Sequence, residues 1–402
     1  MTAVDLPTDT RYGLDHLPYG VFASADEAPR VGVRVGDQVL DLAPVAAAEG
    51  QQVAAVFAEP TLNGFLALGA QQWADTRRWL VDLLSQSANA ELVAPHLRPL
   101  GEVQLHLPFA VGDYVDFYAS EQHATNLGRV FRPDGDALTP NWKHLPIGYH
   151  GRAGTVVVSG TDVVRPCGQR KAPTDAAPTF GPSIRLDIEA ELGFVVGSPS
   201  RLGEPVAVDD FADHVFGVVL VNDWSARDIQ GWEYVPLGPF LGKSFATSVS
   251  AWVTPLAALA AARVELPGQD PEPLEYLRGH DLPGFDVDIE VELNGCVVSR
   301  PPYRGMYWSP AQMLAHLTAN GASIRTGDLY ASGTVSGWER DQVGSLIELT
   351  VNGKEPVSLA DGTTRGFLQD GDTVVLRASA PSADGGRIAL GEVTGTIRPA
   401  VR

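Results

Sequence analysis

Cysteine is scarce: the chain has two, Cys167 and Cys296, far apart in the sequence. That excludes a disulfide framework and a cysteine-based zinc spacing, and it is the usage expected of a protein in a reducing cytoplasm. Positive charge is also short, with 29 Lys and Arg against 49 Asp and Glu and a formal net charge of −20. A phosphate backbone or an anionic membrane surface needs a cationic face to bind it, so neither nucleic acid nor membrane is expected as a partner. No apolar run approaches the ~20 residues that cross a bilayer, and Met1-Thr2-Ala3-Val4-Asp5 has no basic patch leading into an apolar core. The expectation is a soluble, unexported chain.

What is present is globular material: 402 residues, 44% of them hydrophobic and 19% charged, enough for a sizeable core and long enough for two domains. The first hundred residues read as a separate module. Arg30–Val35 and Gln38–Leu42 alternate around Gly36 and Asp37 as a tight hairpin, which suits a small β-barrel. Between Thr61 and Ser85, Leu62, Phe65, Leu66, Leu68, Trp73, Trp79, Leu80, Leu83 and Leu84 recur at helical spacing and predict a core-facing stripe. Pro95, Pro99 and Gly101 mark a boundary, and further Pro/Gly-rich loops occur at 133–141, 172–182 and 267–284.

The stretch Asn222–Thr247 organises the rest. It follows Val215–Val221, a short β-branched run without alternation, as expected of a strand buried on both faces. If a helix starts directly after the strand, Asp223, Arg227 and Gln230 share one face at i, i+4 and i+7, so an acid, a cation and an amide converge. An N-cap Asp with a solvated Asp–Arg pair is the other reading. The continuation through Trp232, Tyr234, Phe240 and Lys243 is too apolar for a plain surface connector and predicts a pocket wall.

Three further clusters carry candidate chemistry. Asp113–Gly128 reads as a helix capped by Asp116 and stopped by Gly128, which aligns Asp116 with His123 and leaves Arg132 just past the end. Asn141–Arg152 is a loop rich in aromatic and polar groups. Ile184–Val196 alternates strictly, with Arg185, Asp187, Glu189 and Glu191 on one face, and Asp286–Gly295 shows the same acidic pattern before an Asn294-Gly295 hairpin turn. Both acidic faces could be solvated. If instead the first converges with Asp116 and Asp223, the gathered carboxylates repel unless a cation holds them, and all-oxygen ligation favours magnesium, calcium or manganese over zinc.

Several stretches together resemble the fumarylacetoacetate hydrolase family: Leu17–Phe22, Asp116-Phe117-Tyr118, Gln122–Asn126, Asn141-Trp142, His144–Pro146, Gly148–Arg152, Glu189 with Glu191, Asn222–Thr247 and Ala331–Gly337. The resemblance covers essentially the whole chain. It implies a mainly β, α+β fold, with an SH3-like barrel over 1–107 and a β-roll catalytic domain over 108–402, assembled as a homodimer. It implies a calcium ion on Asp116, Glu189, Glu191 and Asp223, and a structural magnesium at Asp223, the backbone of Lys243, and Thr247. Tyr118, Arg132, Gln230, Tyr234 and Thr334 become the expected substrate contacts, and His123 the base, oriented by Glu348. The implied reaction is hydrolysis of the carbon–carbon bond of 4-fumarylacetoacetate to fumarate and acetoacetate, which closes tyrosine and homogentisate breakdown. In that chemistry Arg227, Gln230 and Lys243 supply positive potential to the oxyanion and the departing carbanion. Acylpyruvate hydrolysis and oxo-acid decarboxylation are the alternatives within the same superfamily. The chain departs from the family pattern at Trp338–Gln342 but keeps the spacing to Glu348.

Overall fold

The computed structural model describes residues 2–401 apart from 5, 7–9, 26 and 133. Pro133, which opens the predicted 133–141 loop, and Met1 and Asp5 of the N-terminal segment lie outside the described residues. The fold is mixed α and β and mostly sheet, and among the described residues no helix is long and apolar enough to cross a membrane.

The strand Val215–Asp223 is central, as its apolar run predicts. Val218 and Leu220 enter one core while Phe216, Val219 and Val221 enter another, so both faces are buried and alternation has no value there. It pairs antiparallel with Ala190–Val196, which pairs with Leu329–Ala331, and Tyr114–Phe117 then joins in parallel, followed by Gly148–His150. Thr247–Val249 also pairs with the central strand and sets Thr247 opposite Asp223.

On one face a second, five-stranded sheet containing Asp288–Leu293, Thr373–Pro381 and Arg387–Arg398 packs through Trp224, Leu376, Val393 and Ile397. On the other face lie the N-terminal helices, through Phe57, Phe65, Trp73 and Leu80. Each of these large apolar side chains contributes ~1.5–3 kcal/mol when fully buried. The N-terminal hairpin forms as expected, with Gly36 at φ 57° between Arg30–Val35 and Gln38–Asp41. Tyr19–Ser24 pairs with both Arg30–Val35 and Val103–His106 and continues into the larger sheet by pairing with Trp252–Pro255.

Local expectations are corrected at four places. The 61–85 stripe is two helices, Asn63–Leu66 and Ala70–Ser85, divided by Gly69 at φ 85°, and Leu68 in the turn is exposed. Asp116 caps no helix; it lies on the strand Tyr114–Phe117, and the helix Glu121–Phe131 is capped by Ser120, whose Oγ accepts from His123 N at 3.2 Å. Asp223 ends its strand, and Ser225–Ala226 pairs with Leu186–Asp187 before the helix Arg227–Glu233 begins, so Asp223 and Arg227 share no helix face. The 184–196 strand is interrupted at Ile188 and Glu189, and its acidic residues Asp187, Glu189 and Glu191 are buried. The matching Asp288–Leu293 strand keeps its acids half-exposed and paired with Arg387, Arg300 and Arg377, and Asn294 and Gly295 turn at φ 50° and 79°.

Candidate active site

Sheet register assembles the site. Asp116 lies beside Ala331 on one side and Tyr149 on the other, while Ala331 lies beside Gly193, two residues past Glu191. Glu191 is opposite Val221, two residues before Asp223. The interruption at Glu189 is held by Asn222, whose Oδ1 accepts from Glu189 N at 3.1 Å, while Asp223 N donates to Glu189 O at 3.1 Å. Asp116, Glu189, Glu191 and Asp223 thus each offer a carboxylate oxygen, all within 4.8 Å of one another and all buried.

Four buried carboxylates in one place repel strongly. Lys243 answers part of that charge, bonding Glu189 and, at 2.6 Å, Asp223 Oδ2. Arg227 Nη1 lies 2.8 Å from Glu189 Oε1. Burial pushes Glu189 upward, but Lys243 and Arg227 outweigh it and hold its carboxyl below the usual range. Asp116 is driven well above that range by burial and then by Asp223, and Glu191 by burial and then by Asp116, Glu189 and Asp223. Asp116 Oδ1 and both oxygens of Glu191 are buried with no hydrogen-bond partner among the described residues. Orphaned carboxyl oxygens at this spacing fit a hard divalent cation, which would supply the missing partners and hold the groups ionised. Asp223 is further fixed by Thr247 Oγ1 at 2.9 Å and by the Tyr149 hydroxyl at 3.0 Å.

Beside the cluster, the first turn of the Glu121–Phe131 helix presents His123. Its Nδ1 lies 2.7 Å from Glu348 Oε2, and its Nε2 lies 3.9 Å from Glu189 Oε1. Glu348 also accepts from Asn126 at 2.9 Å, Ser345 at 2.6 Å and Ser336 at 3.0 Å. Burial raises its pKa, yet His123 and the Ser345 and Asn126 bonds outweigh that and hold it below the usual range. An anionic Glu348 therefore keeps the proton on Nδ1 and leaves Nε2 as the basic nitrogen.

His123 opens on a cavity of about 370 Å³. Of the expected residues, Asp116, Tyr118, His123, Arg132, Glu189, Arg227, Gln230, Tyr234, Lys243 and Thr334 line it; Glu191, Asp223, Thr247 and Glu348 lie behind this wall. Arg227 Nη2 and Thr334 Oγ1 are buried without a hydrogen-bond partner among the described residues, so both are donors left for a bound molecule. Arg132 donates to the carbonyls of Asp136 and Ala137, which folds its loop over the cavity. Leu127, Leu138, Ile147 and Leu237 make the remaining wall apolar. Trp338 is exposed and outside the lining. Sequence reasoning left Tyr149 and Asn126 without roles, although both stand in the quoted motifs. Nothing in their spacing discloses which carboxylate each one meets.

Two family models match the chain: one described as fumarylacetoacetase N-terminal, over residues 15–108, and one as fumarylacetoacetate (FAA) hydrolase C-terminal, over residues 114–398. The chain is 46% identical to a fumarylacetoacetase of Homo sapiens, with 100% of this chain and 99% of that protein covered. It is 46% identical to a fumarylacetoacetase of Caenorhabditis elegans, with 99% of each covered. Among solved structures, a fumarylacetoacetate hydrolase from psychrophilic Exiguobacterium antarcticum superposes with a TM-score of 0.56 at 15% identity, covering 95% of this chain and 99% of that one, a likeness of fold.

Proposed function

The chain belongs to the fumarylacetoacetase family, and from that premise we propose that it hydrolyses fumarylacetoacetate to fumarate and acetoacetate. The observation that carries the reading is the His123–Glu348 pair, at 2.7 Å, opening on a cavity beside the carboxylate cluster. We assign the cluster Asp116, Glu189, Glu191 and Asp223 to a calcium ion, and a separate, structural magnesium to Asp223, Thr247 and the backbone of Lys243. When bound, the ion of the cluster supplies Lewis acidity that holds and polarises a diketo acid.

The protein's own groups account for the rest. Nε2 of His123 takes a proton from water, and Glu348 stabilises the imidazolium. The hydroxide adds to the fumaryl carbonyl carbon, whose oxygen becomes an oxyanion facing Arg227 Nη2, Gln230 and Lys243. Each such donor is worth roughly 3 kcal/mol to the transition state. Collapse breaks the carbon–carbon bond, its electron pair leaves with the acetoacetate carbon, and the proton held by His123 is available to that carbon. Water's hydroxyl thus ends on fumarate and its proton on acetoacetate. Tyr118, Arg132, Tyr234 and Thr334 orient the two carboxylate ends. We further propose a domain division between 107 and 108, a homodimer, and work in the reducing cytoplasm.

Loss of fumarylacetoacetate, followed by absorbance, tests the reaction. The wild type is expected to consume it, His123→Ala to lose ~10³-fold or more in kcat while remaining folded, and chelation to abolish turnover until calcium or magnesium is restored. Turnover of acylpyruvates or oxo acids instead would move the protein to a neighbouring activity.

A further inference from the structure

Asp187 takes no part in the chemistry above. It is fully buried, does not line the cavity and stands outside the four-carboxylate cluster. Yet its two oxygens accept four hydrogen bonds that reach the two halves of the proposed machinery. Oδ2 accepts from Arg227 Nε at 2.8 Å and from Ile347 N at 3.1 Å. Oδ1 accepts from Leu346 N at 2.7 Å and from Ile188 N at 2.8 Å.

Leu346 and Ile347 open the short helix Leu346–Leu349 that carries Glu348, so one carboxylate grips both that helix and the Arg227 guanidinium. With Nε held by Asp187 and Nη1 by Glu189, Nη2 is left without a partner and is turned to donate. With the helix held at its first two N–H groups, Glu348 meets Nδ1 of His123.

We infer that Asp187 is a positioning residue for the hydrolysis: through Arg227 and the Leu346–Leu349 helix it registers the oxyanion donor against the His123–Glu348 pair. The inference rests on the functional reading above. Its physical ground is that misplacement of a preorganised donor or base by a fraction of an ångström costs rate without weakening ground-state binding to match. An asparagine cannot substitute, because either orientation of its amide turns an NH₂ toward two N–H donors.

The test is Asp187→Asn, assayed per folded molecule beside wild type, Arg227→Ala and the double variant. Asp187→Asn is expected to lose ~10²-fold in kcat with KM within about threefold, and to cost under ~10-fold more on the Arg227→Ala background. The downfield proton resonance of the His123 Nδ1–Glu348 bond, read in the absence of substrate, is expected to move. A kcat within twofold of an active wild type overturns the assignment, as does a loss that is the same on both backgrounds. Asp187→Ala, assayed with and without formate, is the second variant, and recovery of kcat with the added carboxylate supports the inference. If neither variant folds, Asp187 is a determinant of the fold and the assignment is overturned. Should the wild type leave fumarylacetoacetate untouched, the functional reading fails, while the His123 proton signal still decides whether Asp187 places that pair.

Discussion

At the scale of single residues, burial decides what each ionisable group can do. His123 is buried with an anionic partner, its Nδ1 lying 2.7 Å from Glu348 Oε2. His16 is buried with neutral partners, Thr254 Oγ1 at 2.9 Å and the Arg11 carbonyl at 3.3 Å. Burial, opposed by the Arg11 bond and reinforced by the charges of Arg77 and Arg34, brings its pKa from 6.5 to about 3. The unfolded chain therefore binds a proton below 6.5 that the folded chain refuses until about 3. His16 contributes stability that is fully present above 6.5 and is lost as pH falls toward 3, at up to roughly 1.4 kcal/mol per pH unit. Urea unfolding at pH 7, 5.5 and 4.5 checks it: the wild type should lose stability more steeply than His16→Gln. Parallel curves would contradict it.

At the scale of elements, close approaches between strand ends shape the cavity. Gly333 follows the Leu329–Ala331 strand at φ 75°, and a Cβ there would lie 2.2 Å from the carbonyl oxygen of Phe117. Any side chain must push this turn away from the Tyr114–Phe117 strand, and Thr334 moves with it. Gly333→Ala is expected to lower stability by about 2–4 kcal/mol and to raise KM severalfold, read by denaturant unfolding and steady-state kinetics. Unchanged values for both would show that the turn relaxes freely. The hairpins were legible beforehand because Gly36 and Asn294-Gly295 declare themselves by residue type. The strand interruption at Glu189 was not, because Asn222, which bridges it, is remote in sequence.

At the scale of the whole molecule, the net charge of −20 opposes the approach of a dicarboxylate. Inside the site, Arg132, Arg227, Lys243 and a divalent cation together would balance the buried acids. The long-range field is therefore the repulsive one, and salt screens it over about 8–10 Å. kcat/KM for fumarylacetoacetate is expected to rise ~2–3-fold between 10 and 150 mM ionic strength. A fall would mean that the cationic wall of the cavity governs encounter.

The sequence by itself determined the buried central strand and the family, since its motifs run along the whole chain. Run composition and contiguous signatures are local properties. Which acids meet was decided only by tertiary structure. Glu189 with Glu191 and Asp288 with Glu290 are the same pattern on the page; one is buried beside Asp116 and the other faces arginines in water. Asp116 and His123 are neighbours through sheet register and a Ser120 cap, not through the helix face that their spacing suggested. Asp187 received its place only when Arg227 and Leu346–Ile347 closed around it. Alternation fixes which side of a strand a residue takes, but what covers that side is set by segments tens of residues away, such as Asp116 and Asn222 for Glu189.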